Sequence, residues 1–195
     1  MIDFIKGTIA ELTPTEVVIE TASGVGYVAL VSLQTYSALD RCTNAKVYIH
    51  HILREDEELF YGFATKEERE IFRLLIGVSG IGAATARMML SSLTCEEIRG
   101  AILGEDVRKI QSVKGIGLKS AQRVIIELKD KIGKGSGGAD GAIFVQNNAV
   151  CDEATTALVM LGFSKAAVSK AVASVLKNSP SAPVEDVIKQ ALKIL

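Results

Sequence analysis

The residues of this 195-residue chain best placed to do chemistry are two glycine triplets, Gly80-Ile81-Gly82 and Gly115-Ile116-Gly117. Two glycines let a backbone turn sharply and leave no side chain in front of the turn. The amides of such a turn, together with the N-terminus of a following helix, face outward and can hold a phosphate. A clamp of this kind reads no base, so it would grip a nucleic acid independently of sequence.

The triplets belong to an internal repeat. Val78-Ser79-Gly80-Ile81-Gly82 with Ala86 matches Val113-Lys114-Gly115-Ile116-Gly117 with Ala121, at a constant offset of 35 residues. Phe72 and Leu75 fall on Val107 and Ile110 at the same offset. The unit is therefore helix, hairpin, helix, and it occurs twice. Ile81 and Ile116 are expected to plug each hairpin into its own small core, and Ala86 and Ala121 to let paired helices approach. The contacts expected for a phosphate backbone are Ser79, Gly80, Gly82 and Ala83 in the first copy. In the second they are Lys114, Gly115, Gly117, Lys119, Ser120 and Arg123. The basic side chains cluster in the second copy, which is expected to bind phosphate more strongly.

Charge is distributed unevenly around a net of −1. Residues 1–63 carry 4 basic and 9 acidic groups, whereas residues 64–133 carry 12 and 9. A positive middle beside an acidic start predicts attraction in one place and repulsion in another. Four of the acids are consecutive, Glu55-Asp56-Glu57-Glu58. On their own they read as a solvated turn.

Other chemistry is not supported. Cys42, Cys95 and Cys151 are far apart and form no C-x-x-C pair, so neither a zinc site nor a disulfide framework is expected. His50 and His51 are adjacent on a strand, so they point to opposite faces and cannot share a metal. Tyr27, Phe60 and Tyr61 could stack on bases, but core packing suits them better. There is no phosphate-loop motif for ATP hydrolysis and no catalytic constellation. No catalytic residue, metal or cofactor is expected. The scattered cysteines suit a reducing, cytoplasmic setting; no apolar run approaches a membrane span, and the N-terminus lacks a signal-peptide layout.

The elements that must position these residues follow from periodicity. Residues 1–63 read as β. Val17–Thr21 and Tyr27–Val31 flank a Gly-containing loop, Lys46–Arg54 forms another strand, and Leu59–Phe63 follows the acidic turn. A small barrel of the OB type is expected. Residues 64–132 change to a helical period. Thr65 and Glu68 are expected to form a capping box, and further helices to cover 83–90, 94–103, 107–111 and 118–131. Residues 133–150 begin with a Gly-rich stretch and are expected to be a flexible linker. Residues 151–195 are expected to form a three-helix bundle, with helices over 153–161, 164–177 and 184–195. Leu158, Leu161, Phe163, Val168, Val172 and Leu192 would supply its core. The first five are also the candidates for docking a partner.

Taken together, the barrel, the tandem Gly-Ile-Gly hairpins, the Gly-rich linker and the helical tail resemble the RuvA family, the Holliday-junction-binding subunits of bacterial RuvAB branch-migration complexes. The specific stretches are Arg54-Glu55-Asp56, Leu59-Phe60-Tyr61-Gly62-Phe63 and Gly115 through Arg123. The resemblance implies a multidomain α+β fold with an OB barrel, a tandem helix-hairpin-helix domain and a motor-binding tail. It implies a non-catalytic homotetramer that holds four-way junction DNA open, with one or two tetramers per junction left open. It assigns Glu55 and Asp56 to an acidic pin near the crossover. It also implies a RuvB-type ATPase as partner of the tail, a RuvC-type resolvase in the larger complex, and a role in homologous recombination, DNA repair and the SOS response. The chain departs from the family pattern in having Ala83-Ala84 after the first hairpin and Leu118-Lys119 after the second, where lysines are usual. Fewer phosphate contacts are expected from this. Two other classes compete with this reading. A repair enzyme would need a catalytic set that is not found, and a protein-binding adaptor would not need Lys119 and Arg123.

Overall fold

The structure, a computed structural model, describes residues 1–133, 145–179 and 182–195. Two compact units divide the chain, one holding the barrel and the glycine hairpins and the other the tail.

Five strands close the barrel: β1 (Phe4–Leu12), β2 (Glu16–Glu20), β3 (Gly26–Val31), β4 (Asn44–Leu53) and β5 (Glu58–Phe63). A short helix, α1 (Leu33–Leu39), links β3 to β4. The strand order is β1-β2-β3-β5-β4, with β4 pairing back onto β1 and only β3 and β5 parallel. This is a five-stranded barrel of the OB type. Alternating residues fill it: Ile5, Val17, Ile19, Ala29, Val31, Val47 and Ile49 are all buried. The first strand and α1 go beyond the strands expected from the sequence. In β1 the register shifts between Ile9 and Glu11, so the period-two signal breaks in mid-strand.

Five helices follow: α2 (Lys66–Ile76), α3 (Ala83–Ser92), α4 (Cys95–Leu103), α5 (Val107–Gln111) and α6 (Leu118–Gly133). Ile81 and Ile116 are buried as expected, as are Ala86 and Ala121. They do not form two small cores, however. Both hairpins share one core with Phe72, Leu75, Ile110 and Leu128, and it extends to Tyr61 and Phe63 of the barrel. Tyr61 is therefore a packing residue, and Phe60 lies edge-on to Tyr27. His50 packs on Phe72 and His51 on Phe60, on opposite faces of β4. Burial, and then the nearby Arg73, lower the pKa of His50. The thiol of Cys95 is pushed up to about 11, chiefly by burial.

The expected capping box at the start of α2 is only half made. Thr65 accepts the Glu68 N–H at 3.1 Å, but the Glu68 side chain turns away from Thr65. It is buried at the junction with the barrel, where it accepts hydrogen bonds from the hydroxyls of Ser32 and Thr35. A complete capping box occurs instead at Thr94 and Glu97. Arg69 adds a second tie, donating to the backbone and carboxylate of Asp3 at 2.7 and 2.6 Å. Gln34 donates to the carbonyls of Leu90 and Leu93, and Arg87 to that of Thr15 at 3.0 Å. The barrel and hairpin helices are thus joined by polar bonds as well as by a shared core.

Burial raises the pKa of Glu68, and the bonds from Ser32, Thr35 and Ala64 hold it partly back. A carboxyl raised in the folded state contributes stability that is present at low pH. That contribution is lost as pH rises from the ordinary carboxylate range through the raised value. Thr35→Val removes a donor to Glu68 and the acceptor of the Ala64 N–H. It is expected to cost about 2 kcal/mol and to steepen this loss, as thermal melts across pH would show.

The tail contains α7 (Val145–Met160), α8 (Lys165–Asn178) and α9 (Val184–Leu192). The first helix starts eight residues before the expected Glu153, within the stretch assigned to the linker. No Gly or Pro lies between residues 142 and 161, so nothing breaks it earlier. The glycine-rich part of the linker, 134–144, lies outside the described residues. Gly162 ends this run at φ +101°, and Ser164 caps α8.

Burial sorts the tail residues differently from the sequence reading. Leu158, Val168 and Val172 are fully buried with Ala154, Val187 and Ala191, so they are core and cannot meet a partner. Phe163 is half-buried against that core. Leu161 is exposed, and so is Leu192, which the sequence placed in the core. Helix ends explain both: each lies at or past the last turn, where the apolar stripe runs off the packed face.

Candidate nucleic-acid interface

Each hairpin is built by the same local rules. A helix ends, the N–H groups of Val78 and Ile81 donate to Leu75 and Val78, and a new helix starts after Gly82. In the second copy Val113 and Ile116 donate to Ile110 and Val113 in the same way. Gly80 and Gly115 sit at φ +92° and +91°, a conformation that L side chains rarely adopt. Gly82 differs. Its φ of −83° and ψ of 167° suit any residue, and an added Cβ would meet nothing within 4 Å. Gly117 has no positive φ and is equally open. So the first glycine of each triplet is demanded by the turn, while the second keeps the surface bare.

Several hairpin amides are left without a partner, on exposed residues. Among the described residues, the N–H groups of Gly80, Gly82 and Ala83 have no protein acceptor, and neither do those of Gly115 and Gly117. Exposed unpaired amides at a helix N-terminus attract an anion.

The tip of the first hairpin lies against the helix that follows the second. Ser79 and Gly80 of the first share an open groove of about 490 Å³ with Lys119, Ser120, Gln122, Arg123, Ile126 and Glu127 of α6. Ser120 Oγ would lie 3.7 Å from a Cβ added at Gly80. This adds to the charge assignment made from the sequence. Lys119 and Arg123 follow the second triplet in the chain, but they line a groove with the first. Ala83-Ala84 follow the first hairpin without a cation, and α6 places Lys119 and Arg123 in the groove at its tip. Gln122 and Ile126 were not singled out from the sequence. Their signal is helical spacing from Lys119, at i+3 and i+7.

Several basic groups of the middle segment are engaged within the protein. Arg69 pairs with Asp3, Arg99 with Glu67, Lys109 with Glu97 and Lys129 with Glu105. Lys114 and Lys119 make no ion pair among the described residues, and both are exposed beside the hairpins. Part of the unpaired positive charge thus lies beside the free amides, while Lys66, Arg108 and Lys131, which also make no ion pair among the described residues, carry charge elsewhere on the surface.

The acidic turn caps the β4–β5 hairpin. Leu53 pairs with Glu58, and the Arg54 N–H donates to the Glu57 carbonyl at 2.8 Å. Glu55 and Asp56 hold the two central positions. Two of the four acids are tied back: Glu57 lies 3.6 Å from the Arg54 guanidinium, and Glu58 lies 2.9 Å from Nε2 of His51. Glu55 and Asp56 are exposed and form no ion pair among the described residues. The tip thus presents two uncompensated carboxylates.

Three family models match consecutive parts of the chain. A RuvA N-terminal domain covers residues 1–62, a SAM-like tandem helix-hairpin-helix covers 72–130, and a RuvA C-terminal domain covers 149–195. Full-length relatives match as well. The chain is 52% identical over 202 residues to a Bacteroides fragilis protein named Holliday junction branch migration complex subunit RuvA, with all of both chains covered. Proteins of the same name from Bacteroides thetaiotaomicron and Porphyromonas gingivalis are 50% and 45% identical, again with all of both chains covered. With its closed barrel, tandem hairpins and helical tail matched end to end, the chain belongs to the RuvA family of Holliday junction branch migration complex subunits.

Proposed function

We propose that this protein binds four-way junction DNA without sequence preference, as a homotetramer, and holds the junction open for a RuvB-type ATPase in recombination and DNA repair. The observation that carries this reading is the coincidence of bare hairpin amides, unpaired Lys114 and Lys119, and a separate unpaired acidic tip on one rigidly tied unit. The hairpins supply affinity for phosphate. The tip supplies selectivity, because Glu55 and Asp56 fit the open centre of a crossover but face phosphates on a continuous duplex. Four arms suit a four-fold assembly, with one tetramer or two on the DNA. A RuvC-type resolvase belongs to the larger complex, and the setting is the cytoplasm. ATP hydrolysis resides in the partner.

This reading is tested with two junctions of unrelated arm sequence, titrated over a range of salt. Affinities within about twofold of each other and a steep salt dependence are expected. A strong preference for one sequence would contradict backbone recognition.

The motor-binding surface belongs to the exposed apolar side chains of the tail, with Leu161 central and Met160 beside it. Leu158, Val168 and Val172 support it from the core. Leu161→Glu is expected to leave junction affinity unchanged and to reduce stimulation of the ATPase about tenfold or more. Full stimulation by this variant would move the contact elsewhere on the tail.

A further inference from the structure

One contact in the groove between the hairpins is more than phosphate binding requires. Arg123 Nη1 donates to the Ser79 carbonyl at 3.2 Å, across 44 residues of chain. Its Nε lies 3.7 Å from the Glu127 carboxylate, one turn further along α6. One guanidinium therefore joins the second hairpin's helix to the tip of the first hairpin. Glu127 offsets part of its charge. Lys119, in the same groove, makes no ion pair or side-chain hydrogen bond among the described residues.

The tie runs one way only. At the 35-residue offset, Met88 occupies the place of Arg123. Met88 is 45% exposed, and its thioether cannot donate a hydrogen bond. The bonded atom also matters. A bare carbonyl at the tip would repel a phosphate oxygen, and Arg123 covers that of Ser79. A planar fork suits this work, since it can bond a carbonyl and a carboxylate at once.

We propose that Arg123 is a positioning residue. It fixes the first hairpin against α6, so that the two hairpins keep one separation and act as a single grip on the backbone. The proposal rests on reading the hairpins as phosphate sites, and it adds that this side chain steadies the first hairpin's tip beyond what the shared core does.

The test uses the full-length protein and two variants that each remove one positive charge from the groove, Arg123→Gln and Lys119→Gln. Amide hydrogen exchange is measured without DNA at Ile81, whose N–H bonds Val78 across the first hairpin, with Ile116 as the matching control in the second. In Arg123→Gln, Ile81 is expected to exchange about fivefold faster with Ile116 unchanged. In Lys119→Gln neither amide should change. With junction DNA both variants should bind more weakly, about tenfold for Arg123→Gln. Ile81 exchange at the wild-type rate in Arg123→Gln, or equal acceleration of both amides, would overturn the positioning role while leaving the phosphate reading intact. Unchanged junction affinity in both variants would overturn the phosphate reading itself, and the proposal with it.

Discussion

Replacing Gly80 and Gly115 together by valine should leave the barrel folded and lower affinity for any DNA by about a hundredfold. Both positions have a left-handed φ near +91°, where a β-branched residue costs on the order of 1–3 kcal/mol. Space is not the obstacle, since an added Cβ meets nothing at Gly115 and only Ser120 Oγ, at 3.7 Å, near Gly80. The hairpins must therefore change conformation, and their amides turn away from the phosphates. Two charge-assisted sites lost at about 1.5 kcal/mol each give the hundredfold. Gly82→Ala is the informative contrast. Its backbone suits alanine, so the melting temperature should hold while binding weakens, because the methyl would fill open space in front of the proposed phosphate site. Binding isotherms and thermal melts on the same samples check both. A double-valine variant that binds normally would remove the hairpins from the interface.

Glu55→Ala with Asp56→Ala should act in the opposite direction on duplex DNA. The two carboxylates are exposed and form no ion pair among the described residues, so their repulsion of phosphate is largely uncompensated. Their removal is expected to strengthen duplex binding about tenfold at low salt and less at physiological salt, where charges beyond about 8 Å are screened. Junction binding should change little, so the preference for junctions collapses. Glu57→Ala is the control, because its charge is partly offset by Arg54. It should shift duplex affinity much less. Unchanged duplex affinity in the double variant would remove Glu55 and Asp56 from any selective role.

Local signals in the chain revealed a good deal of this arrangement. The 35-residue repeat located both hairpins, because identical backbone turns need glycine at identical places. The division of the acidic turn, with Glu55 and Asp56 set apart, came from the family resemblance, and its physical basis is the pairing of Glu57 and Glu58 within their own hairpin. What could not be read was long-range placement. Lys119 and Arg123 were assigned to the hairpin they follow, and the groove they share with the tip of the other hairpin was not foreseen. Glu68 matched a local capping pattern, yet its side chain bonds residues more than thirty positions away. The tail illustrates the same limit. A stripe of leucines and valines shows that a helix packs, but not which members lie past the packed turn. Leu158 and Leu161 are three residues apart, and one is buried while the other is exposed.

Hairpin grip and acidic repulsion together are expected to select a four-way junction. This selection is tested most directly by competition. A labelled junction bound by the full-length protein is challenged with unlabelled junction and with unlabelled duplex of equal length and composition. Unlabelled junction should compete at least about a hundredfold better, since duplex binding sets the hairpins' attraction against the tip's repulsion. Equal competition by the duplex would contradict the account.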